Sequence, residues 1–558
     1  MGFSRRDFLR TSGALAAGTL LNSGCARNRL GGGSDSRPNI VLVFSDEAAP
    51  GYLGCYGGDF LTPHLDSLAA DGVRFNQAYC TSSVCAPSRY SVFTGQYAGR
   101  STHPGFLGSQ PVTRPYSITW NPGITLDTPT VARFLSAAGY YTGFVGKWGV
   151  TLADSNAEWD IPRFSRDDDP DDPEVNRRLR RHHEIYQERI KKTGGFEWAG
   201  SVLPGNGKHP LPHFNFHPFE WFTRGALDFI DEAARDDRPF FLYSAPTATH
   251  GPDHSAEFDV DPRYTPEGKR EPFACYPPRE SLRRRLEQAG LPVDYAHSGM
   301  LYLDEHVGGI LKRLRELGVT RDTLVIYVPD HNVEPGKASC YQRGVHVPML
   351  MRWPGRIPAG STTDELVQIT DILPTCLDVA GAAPPPGYRG DGRSILPAAE
   401  GGTLPGRDHL YFEIGVARGV LKDGHKYIAY RYRDEALRKM EDGEVDVALD
   451  HMESTGQAHS SIALSCFPHY FDPDQLYDLG RDPHEQHNVA DDPAYAEVLA
   501  DLRDTLKADL ETFRHPYDLS VPEFMESERF AELVEARQEI GASRVGWWDQ
   551  SFKWPPEE

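Results

Sequence analysis

The sequence predicts an α/β fold, with a large mixed or parallel sheet flanked by helices and a smaller α+β subdomain at the C-terminal end. Three observations predict it. Apolar runs with β-branched residues recur between residues 39 and 331, and each ends in polar or charged residues. Helical patterns separate these runs, and hairpin-like strands follow beyond residue 400. A chain of 558 residues is long enough for a large core and a second, smaller unit.

Four runs are expected to be buried parallel strands, because they are apolar without interruption. They cover residues 39–44, 140–145, 240–244 and 324–328. Helices are predicted over 63–70, 129–138, 218–234 and 295–317. Such alternation favours a parallel sheet, and ligands bind such sheets at the carboxyl ends of the strands. We therefore expect the polar residues that follow these four strands to share one site.

Charge and cysteine content exclude several classes of protein. The formal net charge is −22, which argues against nucleic acid or an anionic membrane surface as a partner. An anionic substrate would therefore need a local positive pocket. Eight cysteines in a chain of this length do not make a disulfide scaffold.

Residues 1–36 are predicted to be an export signal followed by a linker. Arg5 and Arg6 begin a twin-arginine pattern, and the apolar run 13–21 after it is too short to span a bilayer. Twin-arginine signals export folded proteins in bacteria, so we expect a periplasmic or cell-envelope location. Residues 21–25 loosely resemble a lipoprotein cleavage site, which makes Cys25 a candidate lipid anchor.

The stretch Cys85-Ala86-Pro87-Ser88-Arg89 reads as a nucleophile at the start of a helix. Proline is favoured in a first helical turn, and a helix start favours anions. A thiol in that position should be acidified, and Arg89 adds a fixed positive charge. The alternative is that Cys85 is simply buried, or is disulfide-bonded to a partner such as Cys80.

The pattern Cys-x-Pro-Ser-Arg, followed by Thr94-Gly95, resembles the signature of type I sulfatases, which belong to the alkaline-phosphatase-like superfamily. This resemblance implies that a maturation enzyme converts Cys85 to formylglycine, whose hydrated aldehyde is the nucleophile. It also implies a sulfated small molecule or oligosaccharide as substrate.

Acidic residues after the first and last of the four strands suggest a metal site. Asp46, Glu47 and Asp330 offer hard oxygen ligands, which suit calcium or magnesium better than zinc, and His331 adds a nitrogen. Alternatively, these carboxylates cap helices or pair with arginines. The resemblance implies one Ca²⁺ held by these four residues together with residue 85. The family usually has Asp-Asp where this chain has Asp46-Glu47.

The resemblance also assigns the residues that bind the sulfate group. Lys147 and Lys337 fall on the two sulfate-binding lysines of the family, although Lys337 could instead be a solvated surface residue. His250 falls on a histidine that faces the sulfate or the leaving group, although a histidine beside Gly-Pro is often only a loop residue. By resemblance, His250 or Lys337 protonates the leaving alcohol.

One position departs from the family pattern in a way that affects turnover. Gly149 stands where many members carry a histidine that breaks down the sulfated intermediate, and His103 is a weak candidate to replace it.

Three further segments carry less definite predictions. Residues 151–218, with an acidic run at 167–172 and a basic one at 177–183, depart from a compact α/β pattern and suggest a solvated helix or loop that could rim the pocket. The catalytic domain is predicted over 37–400 and the C-terminal subdomain over 401–558, with hairpin strands at 417–421 and 425–430. Three tryptophans near the C-terminus could dock the tail or stack on sugars: Trp547, Trp548 and Trp554.

Together these features predict an exported sulfatase that hydrolyses a sulfate ester on a sulfated carbohydrate. Two alternatives stay open. One is a phosphatase or phosphonate monoester hydrolase of the same superfamily, and the other is a catalytically inactive protein that binds sulfated glycans. Nucleotide binding is disfavoured because residues 143–148 lack the spacing and the Ser/Thr of a phosphate loop.

Overall fold

A computed structural model describes residues 37–108, 117–154, 156–206, 211–333, 335–442, 466–515 and 517–544. The twin-arginine segment, Cys25 and the three C-terminal tryptophans lie outside these residues. Arg37–Glu558 groups as one unit by its contacts, so the boundary expected near residue 400 stays a prediction.

The strands and α-helices are numbered here in chain order. The strands are β1 (Asn39–Ser45), β2 (Val73–Phe75), β3 (Ala78–Tyr79), β4 (Tyr141–Lys147), β5 (Trp198–Leu203), β6 (Phe240–Ala245), β7 (Tyr264–Thr265), β8 (Gly268–Lys269), β9 (Thr323–Pro329), β10 (Met349–Arg352), β11 (Ser361–Thr363), β12 (Val367–Gln368), β13 (His409–Ile414), β14 (Ala417–Lys422), β15 (His425–Tyr430) and β16 (Asp474–Asp478). The helices are α1 (Pro63–Ala70), α2 (Cys85–Thr94), α3 (Pro104–Gly108), α4 (Val131–Ala137), α5 (Pro173–Gly194), α6 (Phe219–Ala233), α7 (Arg279–Ala289), α8 (Tyr295–Glu316), α9 (Gln342–Val345), α10 (Ile372–Val379), α11 (Leu396–Ala399), α12 (Asp434–Glu441), α13 (Ala496–Leu510) and α14 (Glu528–Arg544).

The large sheet has the strand order β11-β2-β10-β9-β1-β6-β4-β5. Neighbours from β9 to β5 are parallel, whereas β10 is antiparallel to both of its neighbours, so the sheet is mixed. The four strands predicted from the apolar runs are β1, β4, β6 and β9. They lie next to each other as β9-β1-β6-β4, which confirms the expectation that their carboxyl ends share one edge of the sheet.

Strand β1 lies at the centre of the core because both of its faces are covered. Ile40, Leu42 and Phe44 belong to the apolar cluster on one face of the sheet. Val41 and Val43 belong to the cluster on the other face. Since alternate residues of a strand point to opposite faces, a strand covered on both sides must be apolar throughout, as the sequence of β1 is.

The prediction for residues 151–218 was wrong in one respect. Much of this region is regular structure: α5 is a long helix, and β5 is the edge strand of the large sheet, parallel to β4. The acidic run 167–172 precedes α5, and the basic run 177–183 lies on it. The exposed face of α5 is the solvated helix that was expected, and its other face buries Leu179 and His183. Basic and apolar residues alternate there at helical spacing, so the charges mark only the exposed side.

The C-terminal region forms a second sheet, as predicted. Its order is β13-β14-β15-β16, and all neighbours are antiparallel. Helix α13 packs on one face of this sheet through Leu502, Leu506 and Leu510, in a cluster that includes Val420 of β14. No described helix has the length and apolar character needed to cross a membrane.

Candidate active site

The site lies at the carboxyl edge of the large sheet, where β1, β4, β6 and β9 end side by side. Asp46 directly follows β1, and Asp330 directly follows β9. Lys147 is the last residue of β4. Their positions in the sequence are far apart, but parallel strands with adjacent ends bring them together.

Backbone bonds hold the loops of this edge in register. The Asp46 amide donates to the Ala248 carbonyl at 2.9 Å, and the Thr249 amide donates to the Glu47 carbonyl at 3.1 Å. The Glu47 amide donates to Asp330 Oδ1 at 3.0 Å. The loop after β6 is therefore fixed to the loop after β1, and the latter is fixed to Asp330.

Cys85 is the first residue of α2 and is 6% exposed. Its Sγ lies 3.3 Å from Asp46 Oδ1 and 3.5 Å from His331 Nε2. Both Cys85 and Cys80 are free, so the disulfide alternative does not apply. The expected acidic thiol is also wrong: burial, and then the charge of Asp46, raise the pKa of Cys85 to about 12. An unmodified thiol here is neutral near pH 7 and is a weak nucleophile.

Arg89 is fully buried one turn further along α2 and holds Asp330 in place. Its Nε and Nη2 lie 3.0 Å and 2.9 Å from Asp330 Oδ2, and its Nη1 donates to the Lys147 carbonyl at 3.0 Å. A planar guanidinium can make these contacts at once, which an ammonium cannot. Arg89 therefore ties the end of β4 to the end of β9.

Lys147 forms an ion pair with Asp46, in which Nζ lies 2.6 Å from Oδ2. Both side chains are buried. Burial by itself raises the pKa of Asp46, but Lys147, His250 and Arg89 together hold it well below its usual range. Asp46 is therefore a carboxylate, and Lys147 is the ammonium that balances it.

Glu47 is surrounded by the other two predicted catalytic residues. Lys337 Nζ contacts Glu47 Oε1 closely, and His250 Nε2 lies 3.6 Å from the same oxygen. Burial raises the pKa of Glu47, but Lys337, His250 and His331 together outweigh it, and the pKa falls to about 2. Lys337 is 5% exposed, so it is not a solvated surface lysine.

Four of the five predicted metal ligands come together: Asp46, Cys85, Asp330 and His331 offer ligand atoms within 4.8 Å of one another, and all four are buried. The carboxylate of Glu47 lies outside this group and pairs with Lys337 instead. Its role as a ligand stays a prediction.

The donor set fits a divalent cation. Carboxylate oxygens are the ligands that calcium and magnesium prefer, while His331 is less usual. Three carboxylates of the site already face three cationic side chains in the pairs Asp46–Lys147, Glu47–Lys337 and Asp330–Arg89. These charges balance, so an added divalent ion would leave the site positive and would attract an anionic sulfate group.

Gly149 has a structural reason for departing from the family pattern. Its φ is 70°, in the left-handed region that side chains rarely adopt. A Cβ at this position would lie 2.6 Å from Arg89 Cδ and 3.2 Å from Lys147 Cε. A histidine does not fit here unless Arg89 moves. The Gly105 amide donates to His103 Nδ1 at 3.1 Å. The ring of His103 lies against Gly123.

Asn206 is a site residue that sequence reasoning missed. It follows β5, and its Nδ2 donates to Asp46 Oδ2 at 2.7 Å, the oxygen that also accepts from Lys147. The available signal was a polar residue just after a strand, but β5 was not recognised as a strand. Asn206 and Lys147 together orient the Asp46 carboxylate.

Comparisons with protein families agree over most of the chain. The family model "Sulfatase" matches residues 38–382. The model "N-sulphoglucosamine sulphohydrolase, C-terminal" matches residues 336–440. A model for the twin-arginine translocation pathway signal sequence matches residues 2–21, which confirms the predicted export signal.

Individual proteins show the same relationship. The chain is 30% identical over 514 residues to arylsulfatase A of Homo sapiens, covering 85% of this chain and 88% of the relative. It is 28% identical over 487 residues to N-acetylgalactosamine-6-sulfatase of Canis lupus familiaris, covering 81% and 82%. A solved structure described as a complex with its substrate D-glucosamine-2-N,6-O-disulfate has a TM-score of 0.56 at 19% identity, covering 86% of this chain and 98% of the other. At that identity the match shows the fold alone.

Proposed function

This chain belongs to the sulfatase family and is a sulfuric ester hydrolase. We propose that it acts on a sulfated carbohydrate, through a formylglycine made from Cys85 and with one Ca²⁺ bound. The observation that carries the proposal is the position of Cys85. Its sulfur is buried at a helix start, in contact with Asp46 and His331. The twin-arginine signal indicates export.

The proposed nucleophile is the modified residue because the thiol itself is poorly suited to the role. With a pKa raised to about 12 by burial and Asp46, the sulfur stays protonated near neutral pH. Formylglycine at residue 85 would supply, as its hydrate, one hydroxyl to attack sulfur and a second whose deprotonation releases sulfate. Its reacting oxygen would start where Sγ lies, beside Asp46 Oδ1.

Asp46, Asp330 and His331 would hold the calcium ion, with residue 85 as a further ligand. Glu47 is a candidate ligand, and to bind the ion its carboxylate would have to give up its ion pair with Lys337. Calcium in that place would supply a positive charge to the transferring sulfuryl group. Arg89 keeps Asp330 oriented, and Asn206 does the same for Asp46. Because these groups are fixed before substrate arrives, they stabilise developing charge without rearranging.

Lys337 is the better proposed source of the leaving-group proton. Burial lowers the pKa of His250 despite the charge of Glu47, so its ring is neutral near pH 7. The ammonium of Lys337 contacts the same Glu47 oxygen and carries a proton at that pH. In this assignment Lys337 protonates the departing alcohol. The neutral His250 ring donates from Nδ1 to the Gly251 carbonyl at 3.0 Å, which leaves Nε2 to accept a hydrogen bond in the site.

A sulfated carbohydrate is proposed as substrate because of what relatives are named for. One is an N-acetylgalactosamine-6-sulfatase, and a structural neighbour is described with a disulfated glucosamine as its substrate. The identity of the sugar and the position of the sulfate are open in this proposal.

The test is expression with a formylglycine-generating enzyme, followed by mass spectrometry of the peptide containing residue 85 and turnover of an aryl sulfate. We expect the aldehyde at residue 85, and we expect Cys85→Ala to abolish turnover. Cys376→Ala is the matched control, because Cys376 is another buried free cysteine far along the chain. Full activity of Cys85→Ala would refute the nucleophile.

The same preparation separates the alternatives. Faster turnover of an aryl phosphate or phosphonate monoester than of the aryl sulfate would favour the phosphatase or phosphonate hydrolase interpretation. An unmodified Cys85, no turnover and retained binding to sulfated glycans would favour the inactive binding protein.

A further inference from the structure

A second group of metal-ligating side chains joins the segment after β6, which contains His250, to the residue pair before α6. It consists of His217, His254 and Glu257, which are 4%, 0% and 2% exposed. One ligand atom from each lies within 4.8 Å of the other two. None of the three takes part in the site described above.

The spacing of this group suits a metal ion better than it suits hydrogen bonding. His254 Nδ1 lies 3.4 Å from Glu257 Oε2, and His217 Nε2 lies 3.9 Å from Glu257 Oε1. Good N–H···O bonds are about 2.7–3.2 Å long. Ligands about 2.1 Å from a tetrahedral zinc ion are separated by about 3.4 Å. The observed separations are therefore long for direct bonds and close to those of ligands sharing an ion.

His217 is oriented as a metal ligand is. His217 Nδ1 bonds Thr247 Oγ1 at 2.6 Å, which leaves Nε2 as the atom that faces Glu257. Metal-bound histidines usually have their second ring nitrogen held in this way. His217 Nε2 and His254 Nε2 are buried and make no well-formed hydrogen bond among the described residues, although the Gly251 carbonyl lies near His217.

Helix α8 leaves room for the second ring at Gly299. A Cβ on Gly299 would lie 2.7 Å from His254 Cδ2 and 3.1 Å from its Nε2. The helix therefore packs against the His254 ring only because residue 299 has no side chain.

The charges of the group also favour a cation. Glu257 accepts from the His217 amide at 2.8 Å, and its carboxyl is buried beside two imidazoles. A divalent ion bound between the rings and this carboxyl group would place a positive charge beside it.

We infer that His217, His254 and Glu257 form a second, buried metal site that binds Zn²⁺. Zinc favours a ligand set of two imidazoles and one carboxylate, whereas hard cations such as Ca²⁺ prefer oxygen ligands alone. Thr247, His254 and Glu257 all belong to the segment that follows β6 and contains His250. Bound zinc would join this segment to His217, just before α6, and hold the loop that carries His250.

The test measures zinc directly on the whole chain. Protein loaded with Zn²⁺ and then dialysed is analysed by inductively coupled plasma mass spectrometry. We expect about one zinc per wild-type chain, and loss of that zinc in His254→Gln and Glu257→Gln. The matched control is His306→Gln, because His306 is also fully buried but bonds Thr223 and Ser244 instead. It should keep the zinc.

A second variant assigns the ion to the correct site. Asp330→Asn alters the catalytic cluster, and zinc bound by His217, His254 and Glu257 should survive it. Loss of zinc in Asp330→Asn alone would place the ion in the catalytic cluster and overturn the inference, as would a wild-type chain that retains no zinc.

The wild-type protein provides a test that does not depend on folding of a variant. Co²⁺ in the proposed site should show visible d–d bands without the near-ultraviolet sulfur-to-cobalt charge transfer that ligation by Cys85 would produce. Charge-transfer absorption that rises together with those bands would contradict the assignment.

Discussion

Replacing Gly149 with alanine tests whether Arg89 excludes a side chain at that position. The new Cβ would lie 2.6 Å from Arg89 Cδ, whereas carbon atoms in contact are normally about 3.5–4.0 Å apart. Arg89 would have to move by about 1 Å. A left-handed residue with a Cβ costs about 1–2 kcal/mol, and overpacking adds about 1–3 kcal/mol. We therefore expect Gly149→Ala to lower the free energy of unfolding by about 2–5 kcal/mol.

Gly149→Ala should lower the catalytic rate by more than its loss of folding stability alone would suggest. Arg89 orients Asp330 and the end of β4, and a misplacement of about 1 Å can cost about 100-fold in rate. We expect kcat for an aryl sulfate to fall by about that factor. Gly149→His, which restores the residue of the family pattern, should be at least as damaging here.

Gly424→Ala is the control. Gly424 has a φ of 74°, close to the 70° of Gly149, but a Cβ added to it would meet no atom within 4 Å. It should lose only the backbone contribution of about 1–2 kcal/mol and keep full turnover. For both variants, urea unfolding measures the loss of stability and aryl sulfate kinetics measure turnover. Equal destabilisation of the two variants with unchanged turnover would refute the reasoning.

Two further predictions concern single contacts. Asn206→Ala removes the 2.7 Å hydrogen bond to Asp46. A hydrogen bond to a charged group contributes about 1.5–3 kcal/mol, so kcat/KM should fall about tenfold or more. Unchanged kinetics would contradict the role of Asn206. The bond to Asp509 raises the pKa of His409, so its contribution is complete below the ordinary pKa of about 6.5 and disappears as pH rises through the raised value. Urea unfolding should therefore show His409→Gln to be less stable than wild type at about pH 6 and nearly equal to it at about pH 9; a difference that does not vary with pH would contradict this.

Most of the fold was predictable because its elements have strong local patterns. The helix expected over 63–70 is α1, and those over 218–234 and 295–317 correspond to α6 and α8 within one residue at each end. The predicted hairpin strands are β14 and β15. Strand β5 was missed because Gly200 and Ser201 interrupt its apolar residues, so it lacks the continuous apolar run that identifies a central strand.

The sequence predicted that the ends of the four central strands meet, but it did not predict their contacts and it missed Asn206. Asp46, His250 and Asp330 follow strands and Lys147 ends one, and their meeting was expected from the parallel sheet. The sequence could not show that Glu47 pairs with Lys337, because that contact joins residues far apart in the chain and depends on how their loops pack. It suggested an acidic thiol at Cys85 from the helix start, but burial and Asp46 outweigh the helix.

By itself, the sequence of this protein determined the four central strands of the large sheet, the charged residues at their ends and the motif around residue 85, because these depend on local periodicity and residue type. Only the tertiary structure decided which side chains touch. Gly149 is glycine because Arg89 occupies the space beside it, and Asn206 belongs to the site because β5 lies next to β4. His217 meets His254 and Glu257 for the same reason: distances between residues remote in sequence are set by packing, which no local pattern records.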